Sequence, residues 1–232
     1  KNLFGVTPTA FRNTELIYNN DLARTLESMG YRVVLAEGAD HILGWRSPNF
    51  VYQPSGCPRL RLLLKNYRLA DDIAFRFSNR GWAEYPLTAE KFAGWVHQIN
   101  AVGEVVNLFM DYETFGEHQW ADTGIFEFLK AMPAAILQHP DFRFETPIEA
   151  AYHHDPVAQL DVPHFVSWAD VERDVTAWLG NDMQKDASQT IYALENKVRC
   201  RKNPDMLRVW RQLQTSDHFY YLCTKWFSDG DV

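Results

Sequence analysis

Gly103-Glu104-Val105-Val106-Asn107-Leu108-Phe109-Met110-Asp111 is the stretch on which the fold reading turns. Residues Glu104 to Met110 (EVVNLFM) are almost continuously apolar, begin directly after a glycine and stop at an aspartate. A strand covered on one face alternates apolar and polar residues. One covered on both faces does not, so this run predicts a buried strand of a parallel sheet. Working outward, Tyr31 to Ala36 (YRVVLA) and Leu60 to Leu64 (LRLLL) predict two further strands. Leu3 to Val6, closed by Thr7-Pro8, predicts a buried strand end, and Phe142 to Phe144 a short strand. Helical spacing recurs at Leu16 to Met29, stopped by Gly30, and at Leu69 to Ser78, Thr88 to Asn100 and Gly124 to Gln138. Thr88 is an expected N-cap with Glu90 in the first turn, and Pro133 is expected to kink its helix or move its boundary. Strand and helix alternation implies βα units, with chemistry at the carboxyl ends of the strands.

The pattern changes after about Asp161. Trp168 to Leu179, Met183 to Arg201, Pro204 to Thr215 and Phe219 to Trp226 all carry helical spacing, without a convincing strand between them. The expected organisation is a β/α portion over residues 1–160 and a helical subdomain over 161–232.

Composition narrows the class. A chain of 232 residues, 46% hydrophobic, allows one or two domains at roughly 150 residues each and excludes a disordered tail or a small disulfide scaffold. With 23 basic against 30 acidic residues, the net charge is −7, and no Lys/Arg block interleaves with aromatics, which argues against a nucleic-acid partner. The longest apolar runs are a few residues against the roughly 18 of a membrane span, so no membrane partner is expected. Cys57, Cys200 and Cys223 show no short metal-ligand spacing, and no signal-peptide pattern is visible. Reduced thiols and a cytoplasmic location are expected.

Two segments could do chemistry. Met110 to Trp120 (MDYETFGEHQW) brings Asp111, Glu113, Glu117 and His118 just past a buried strand. Several readings compete: a polar loop capping the strand, or a metal site of Asp111, Glu113 and His118. A third is a general acid, Asp111, kept protonated by neighbouring carboxylates. Tyr112 and Trp120 would stack on a sugar ring or belong to the core. The second segment, Phe11 to Tyr18 (FRNTELIY), places Glu15 between a strand and a helix. Its simplest reading is a first-turn carboxylate favoured by the helix dipole, with Arg12 as ion-pair partner. Two carboxylates at the ends of different strands are also what a glycosidase needs, about 5 Å apart in a retaining enzyme.

Together, Pro8 to Asn19 (PTAFRNTELIYN) and Met110 to Trp120 resemble glycoside hydrolase family 57, specifically its α-amylase-like members. By this resemblance Glu15 would be the nucleophile and Asp111 the acid/base. Val166 to Asn181 (VSWADVERDVTAWLGN) is similar to a later family segment, which implies substrate contacts for Trp168 and Asp170, while Trp178 reads as core. Arg12, Glu113, His118 and Trp120, which flank the two carboxylates, are further substrate-binding candidates. The implied activity is a retaining α-glucan hydrolase that needs no metal or cofactor and takes an α-glucan or maltooligosaccharide. Alternatives are a 4-α-glucanotransferase or branching enzyme, a metal-dependent carbohydrate deacetylase using Asp111 and His118, or a non-catalytic glucan-binding domain.

The implied fold is α/β: part of an incomplete seven-stranded β/α barrel followed by helices. Family members carry a His-Gln-Pro segment and a second histidine segment that do not occur here, and only five strand candidates are found. The break at Asp229 to Val232 also looks abrupt. The chain is therefore expected to be the later part of a larger unit, with the missing N-terminal part as its partner. An open edge near Leu3 to Val6 and exposed Val106, Leu108 and Met110 would follow.

Overall fold

A computed structural model describes residue 3 and residues 5–225. The chain divides into two compact units, Lys1–Val166 and Ser167–Val232. The first contains, in order, β1 (Ala10–Arg12), α1 (Asn20–Ser28), β2 (Val33–Glu37), α2 (Asp40–Leu43), β3 (Gln53–Pro54) and β4 (Arg61–Lys65). It continues with α3 (Tyr67–Ala74), α4 (Ala89–His97), α5 (Ile125–Ile136), α6 (Pro147–His153) and β5 (Gln159–Leu160). The second contains α7 (Thr176–Leu179), α8 (Asp182–Ala193), α9 (Glu195–Cys200), α10 (Pro204–Gln212) and α11 (Ser216–Tyr220). No helix among the described residues is long and apolar enough to cross a membrane.

A parallel sheet in the order β1-β2-β4 organises the first unit, and β3 and β5 form a smaller parallel pair. Both faces of the larger sheet are covered, which is why β2 and β4 are apolar without alternation. Val34, Ala36, Leu62 and Leu64 pack with Ala23 and Leu26 of α1 and with Leu160. Val33 and Leu63, on the opposite face, pack with Val105 and with Ala151 of α6. A third cluster joins Ile73 of α3, Phe92 and Val96 of α4, and Ile125 and Phe128 of α5. Helix ends follow sequence cues: the Thr88 side chain accepts from the Lys91 N–H at 3.2 Å, and Asn19 and Asn66 cap α1 and α3. Pro133 lies within α5, which continues to Ile136.

The strand expectations need correction. Leu3, Gly5 and Val6 are turn and bend residues exposed to solvent, Phe4 lies outside the described residues, and the first strand begins at Ala10. Phe142 to Phe144 forms no strand. Glu104 to Met110 runs extended beside β4 but joins no ladder, because a side chain replaces the pairing. The Asn66 N–H donates to the Asn107 carbonyl at 2.9 Å, and Asn107 Nδ2 donates to the Leu64 carbonyl at 3.0 Å. Val106, Leu108 and Met110, expected to be exposed, are half-buried against the α3–α4–α5 cluster. β1 is an edge of the sheet among the described residues.

In the second unit, Gln184 is fully buried, and its Nε2 donates to Ala177 at 2.7 Å and Phe219 at 2.9 Å, tying α7, α8 and α11 together. Of the helix expected over Trp168 to Leu179 only α7 forms, because Asp170 and Arg173 have left-handed backbones, φ 56° and 54°. Of the helix expected over Phe219 to Trp226 only Phe219 and Tyr220 are helical, as the end of α11, and the chain turns at Tyr221; Trp226 and Asp229 to Val232 lie outside the described residues.

Candidate active site

Glu15 sits where β1 hands over to α1. Asn13 shapes the connection: its Oδ1 accepts from the Thr14 N–H at 3.0 Å and its Nδ2 donates to the Ile17 carbonyl at 3.1 Å. The turn is so tight that Glu15 and Leu16 both take left-handed backbones, φ 53° and 50°. Two consecutive non-glycine residues in this region cost about 1–2 kcal/mol each. The turn persists because its flanks are anchored. Leu16 is fully buried, and the backbones of Tyr18 and Val166 exchange two hydrogen bonds of 2.9 Å. Glu15 itself is half-buried, and Arg12 closes β1 three residues earlier.

The segment after Met110 separates anchoring from display. Thr114 and Gln119 are buried, and Gln119 Nε2 donates to the Ala74 carbonyl at the end of α3, 2.9 Å away. The N–H groups of Glu117 and His118 donate to the Glu113 carbonyl at 3.1 and 2.9 Å. Pinned this way, the loop leaves Asp111, Tyr112, Glu113, His118 and Trp120 on the surface, with Tyr112 and Trp120 95% and 67% exposed. Tyr112 and Trp120 are thus displayed aromatics rather than core.

Neither segment is isolated. Protein surrounding the Asp111 carboxyl pushes its pKa above the ordinary carboxylate value, and the Glu113 charge raises it further. Arg12, His118 and Lys65 act in the lowering direction. Asp111 is exposed in area, yet enough of its hydration is replaced by protein to raise its pKa. The carboxyl ends of β1 and β4 and the end of the 104–110 segment therefore converge on one charge group. Arg12, Glu113 and His118 belong to it.

Lys65 also belongs to a buried cluster that the sequence reading missed. Glu37 and Lys65 end β2 and β4 as register partners, and both are buried, 3% and 4% exposed. Lys65 Nζ is 3.2 Å from Asp71 Oδ1 on α3 and 3.9 Å from Glu37 Oε2. A buried ammonium needs such partners. Gly38 lies so close to the Lys65 carbonyl that a Cβ there would collide with it. A signal was present: VVLAE and RLLLK each end an apolar run on a charge, which is costly unless partnered.

Trp168 and Asp170 belong to the second unit. Arg173 Nη1 donates to the Trp168 carbonyl at 2.6 Å, and Lys225 Nζ is 3.3 Å from Asp170 Oδ2 and from Glu172 Oε2. Among the described residues, no three His, Cys, Asp or Glu side chains group so as to hold a metal ion, Asp111, Glu113 and His118 included.

The chain has known relatives. Over 243 aligned residues the chain is 46% identical to a Methanocaldococcus jannaschii protein named "Putative alpha-amylase"; the match covers 100% of this chain and 51% of that protein. The chain thus spans about half the length of this curated relative. Its fold is similar to a branching enzyme from Thermococcus kodakaraensis, with TM-score 0.62 and 15% identity, over 94% of this chain and 55% of that one. It is also similar to 4-α-glucanotransferase from Thermococcus litoralis, with TM-score 0.56 and 17% identity, over 83% of this chain and 29% of that one. Residues 1–163 match the model of glycosyl hydrolase family 57, a span that holds both candidate carboxylates. The chain belongs to glycosyl hydrolase family 57 and is similar to its amylase-like members.

Proposed function

We propose that this chain carries the catalytic pair of a retaining α-glucan hydrolase, with Glu15 as nucleophile and Asp111 as acid/base. The supporting observation is that burial and Glu113 push the Asp111 pKa up at the sheet's carboxyl edge, within the field of Arg12, which lies three residues from Glu15. A Glu15 carboxylate oxygen attacks the anomeric carbon while Asp111 gives its proton to the departing glycosidic oxygen, so one C–O bond forms as another breaks. Asp111, now a carboxylate, takes a proton from water, which attacks the same carbon and releases Glu15. Two inversions retain the anomeric configuration.

The relatives' names support an α-glucan as substrate. A sugar hydroxyl replacing water in the second step would make the same pair a glucanotransferase or branching enzyme. Arg12, Glu113, His118 and the displayed Trp120 are proposed to bind sugar around the pair, and Trp168 and Asp170 are proposed as further substrate-binding residues. We read the sheet as part of an incomplete seven-stranded barrel to which further strands add beyond β1. The test is product analysis on maltoheptaose, following the anomer by NMR, with a form that includes the remaining length found in the relatives. The expected first product is the α-anomer. A β-anomer would remove the double displacement, and longer oligosaccharides would mark transfer.

A further inference from the structure

The opposite, amino-terminal edge of the same sheet holds a cavity of about 420 Å³ that none of the proposed chemistry uses. Arg32 immediately precedes β2 and Arg61 opens β4. The strand rise puts them roughly 13–17 Å from Lys65 and Glu37 at the other ends. The Arg61 N–H donates to the Arg32 carbonyl at 2.8 Å, so the two arginines are neighbours across the ladder. Both guanidiniums lie over one ring, that of Tyr152 on α6, at 4.3 Å for Arg32 and 5.3 Å for Arg61.

Their hydrogen-bonding capacity is largely unused. Arg61 Nε is buried with no partner, and Arg61 Nη1 reaches only the Pro58 carbonyl at 3.5 Å. Arg32 Nε makes one long contact, 3.4 Å, to the Tyr152 hydroxyl. The single carboxylate in the wall, Glu27, is occupied by the Arg59 backbone N–H at 2.7 Å and lies 3.8 Å from the Arg59 guanidinium. Among the described residues no carboxylate lies within ion-pair distance of Arg32 or Arg61. In a chain of net charge −7, two adjacent like charges without a counterion are a local exception. An unsatisfied buried N–H adds its desolvation cost. The tyrosine ring offsets part of this through its π face but accepts no in-plane hydrogen bond from the guanidinium forks.

We propose that this cavity binds a phosphoryl oxyanion, either inorganic phosphate or the phosphate of a phosphorylated sugar, through Arg61 and Arg32. A guanidinium fork matches two phosphate oxygens, and a dianion neutralises both arginines at once. The Tyr152 ring holds the two forks side by side. The site is separate from the carboxylate pair, so it stands whether or not the proposed hydrolysis does.

Calorimetric titration of the protein with inorganic phosphate and, separately, glucose 1-phosphate tests it, at constant ionic strength and with glucose as neutral control. Saturable binding of at least one phosphoryl compound is expected, with none of glucose. Tighter binding of glucose 1-phosphate identifies the sugar phosphate as the source, and equal or tighter binding of inorganic phosphate identifies the free ion. Arg61→Met and Arg32→Met should each weaken binding about tenfold or more, and Arg61→Lys, which keeps the charge without the fork, by an intermediate factor. Arg59→Met, at the exposed rim, should change it by less than about twofold. Absence of saturable phosphoryl binding by the unaltered protein overturns the proposal, and this arm needs no variant to fold. Undiminished binding by a folded Arg32→Met/Arg61→Met protein, checked by circular dichroism, overturns it equally.

Discussion

At the carboxyl ends of β2 and β4 the buried Lys65 ammonium lies 3.2 Å from Asp71 and 3.9 Å from Glu37, while at the amino ends Arg32 and Arg61 share one tyrosine ring and, among the described residues, no carboxylate within ion-pair distance. The same two strands thus present a charge set with internal partners and a charge set without them. Internal pairing makes a rigid support, because each buried charge is oriented by the others. Such a set suits a support for the proposed acid Asp111, whose field includes Lys65. A set lacking its counterion is better suited to taking one from outside. The contrast can be tested from both ends.

The largest effect is expected above the paired end. Asp111→Asn should lower kcat/KM on maltooligosaccharides by about 10²–10⁴-fold, and far less on an aryl maltoside whose leaving group needs no proton. Equal losses on both substrates would remove Asp111 from the acid role. Glu15→Gln should abolish the glycosyl-enzyme detectable by mass spectrometry after quenching.

Next comes the support itself. Lys65→Met leaves Glu37 and Asp71 buried without their cation and should cost about 3–5 kcal/mol in denaturant unfolding. Adding Glu37→Gln and Asp71→Asn should recover much of that loss. A loss below about 1 kcal/mol for Lys65→Met would break the comparison, since it would mean the carboxylates are effectively solvated.

A smaller, signed effect concerns pH. Burial first, then Glu113, raises the Asp111 pKa, against Arg12, His118 and Lys65. In the proposed mechanism the protonated form is the working acid, so the rate should fall as pH rises through this raised value. Glu113→Gln removes a raising charge and should move that alkaline limb to lower pH. Arg12→Met removes a lowering charge and should move it to higher pH. A limb that ignores both changes belongs to another group. For stability the sign is the same: a raised carboxyl pKa favours the fold below the ordinary carboxylate range, and that contribution fades as pH climbs through the raised value.

The smallest effect is expected at the unpaired end. Without phosphate, Arg61→Met removes a buried donor that has no partner, so stability should stay within about 0.5 kcal/mol or rise. A loss resembling that of Lys65→Met would show that Tyr152 alone satisfies the arginines and would erase the difference between the two ends.

What could be read from the chain beforehand followed the range of the interactions involved. YRVVLA and LRLLL announced strands through apolar runs that exist because both sheet faces are covered, and Thr88 announced a helix start because its cap reaches only to Lys91. α6 went unread although Thr146 and Glu149 make a capping box with Pro147 between them, a local cue that was there to find. The 104–110 run misled because its apolar content is that of a strand, while the Asn107 side chain takes the Leu64 carbonyl a ladder would use. Glu15 and Asp111 stood out as candidates from their segments, but nothing local placed Arg12 and Lys65 in the field of Asp111.

The amino-acid sequence by itself determined the periodicities, the caps and the two carboxylate-bearing segments, because each depends on residues a few positions apart. Only the tertiary structure decided which charges meet. Glu37 faces Lys65 and Val33 faces Arg61 through the β2–β4 register. A slip of one residue would reverse the faces and separate those partners. That register is set by the apolar residues packed on both sides of the sheet, which is why charges 28 residues apart, Glu37 and Lys65, share one buried cluster.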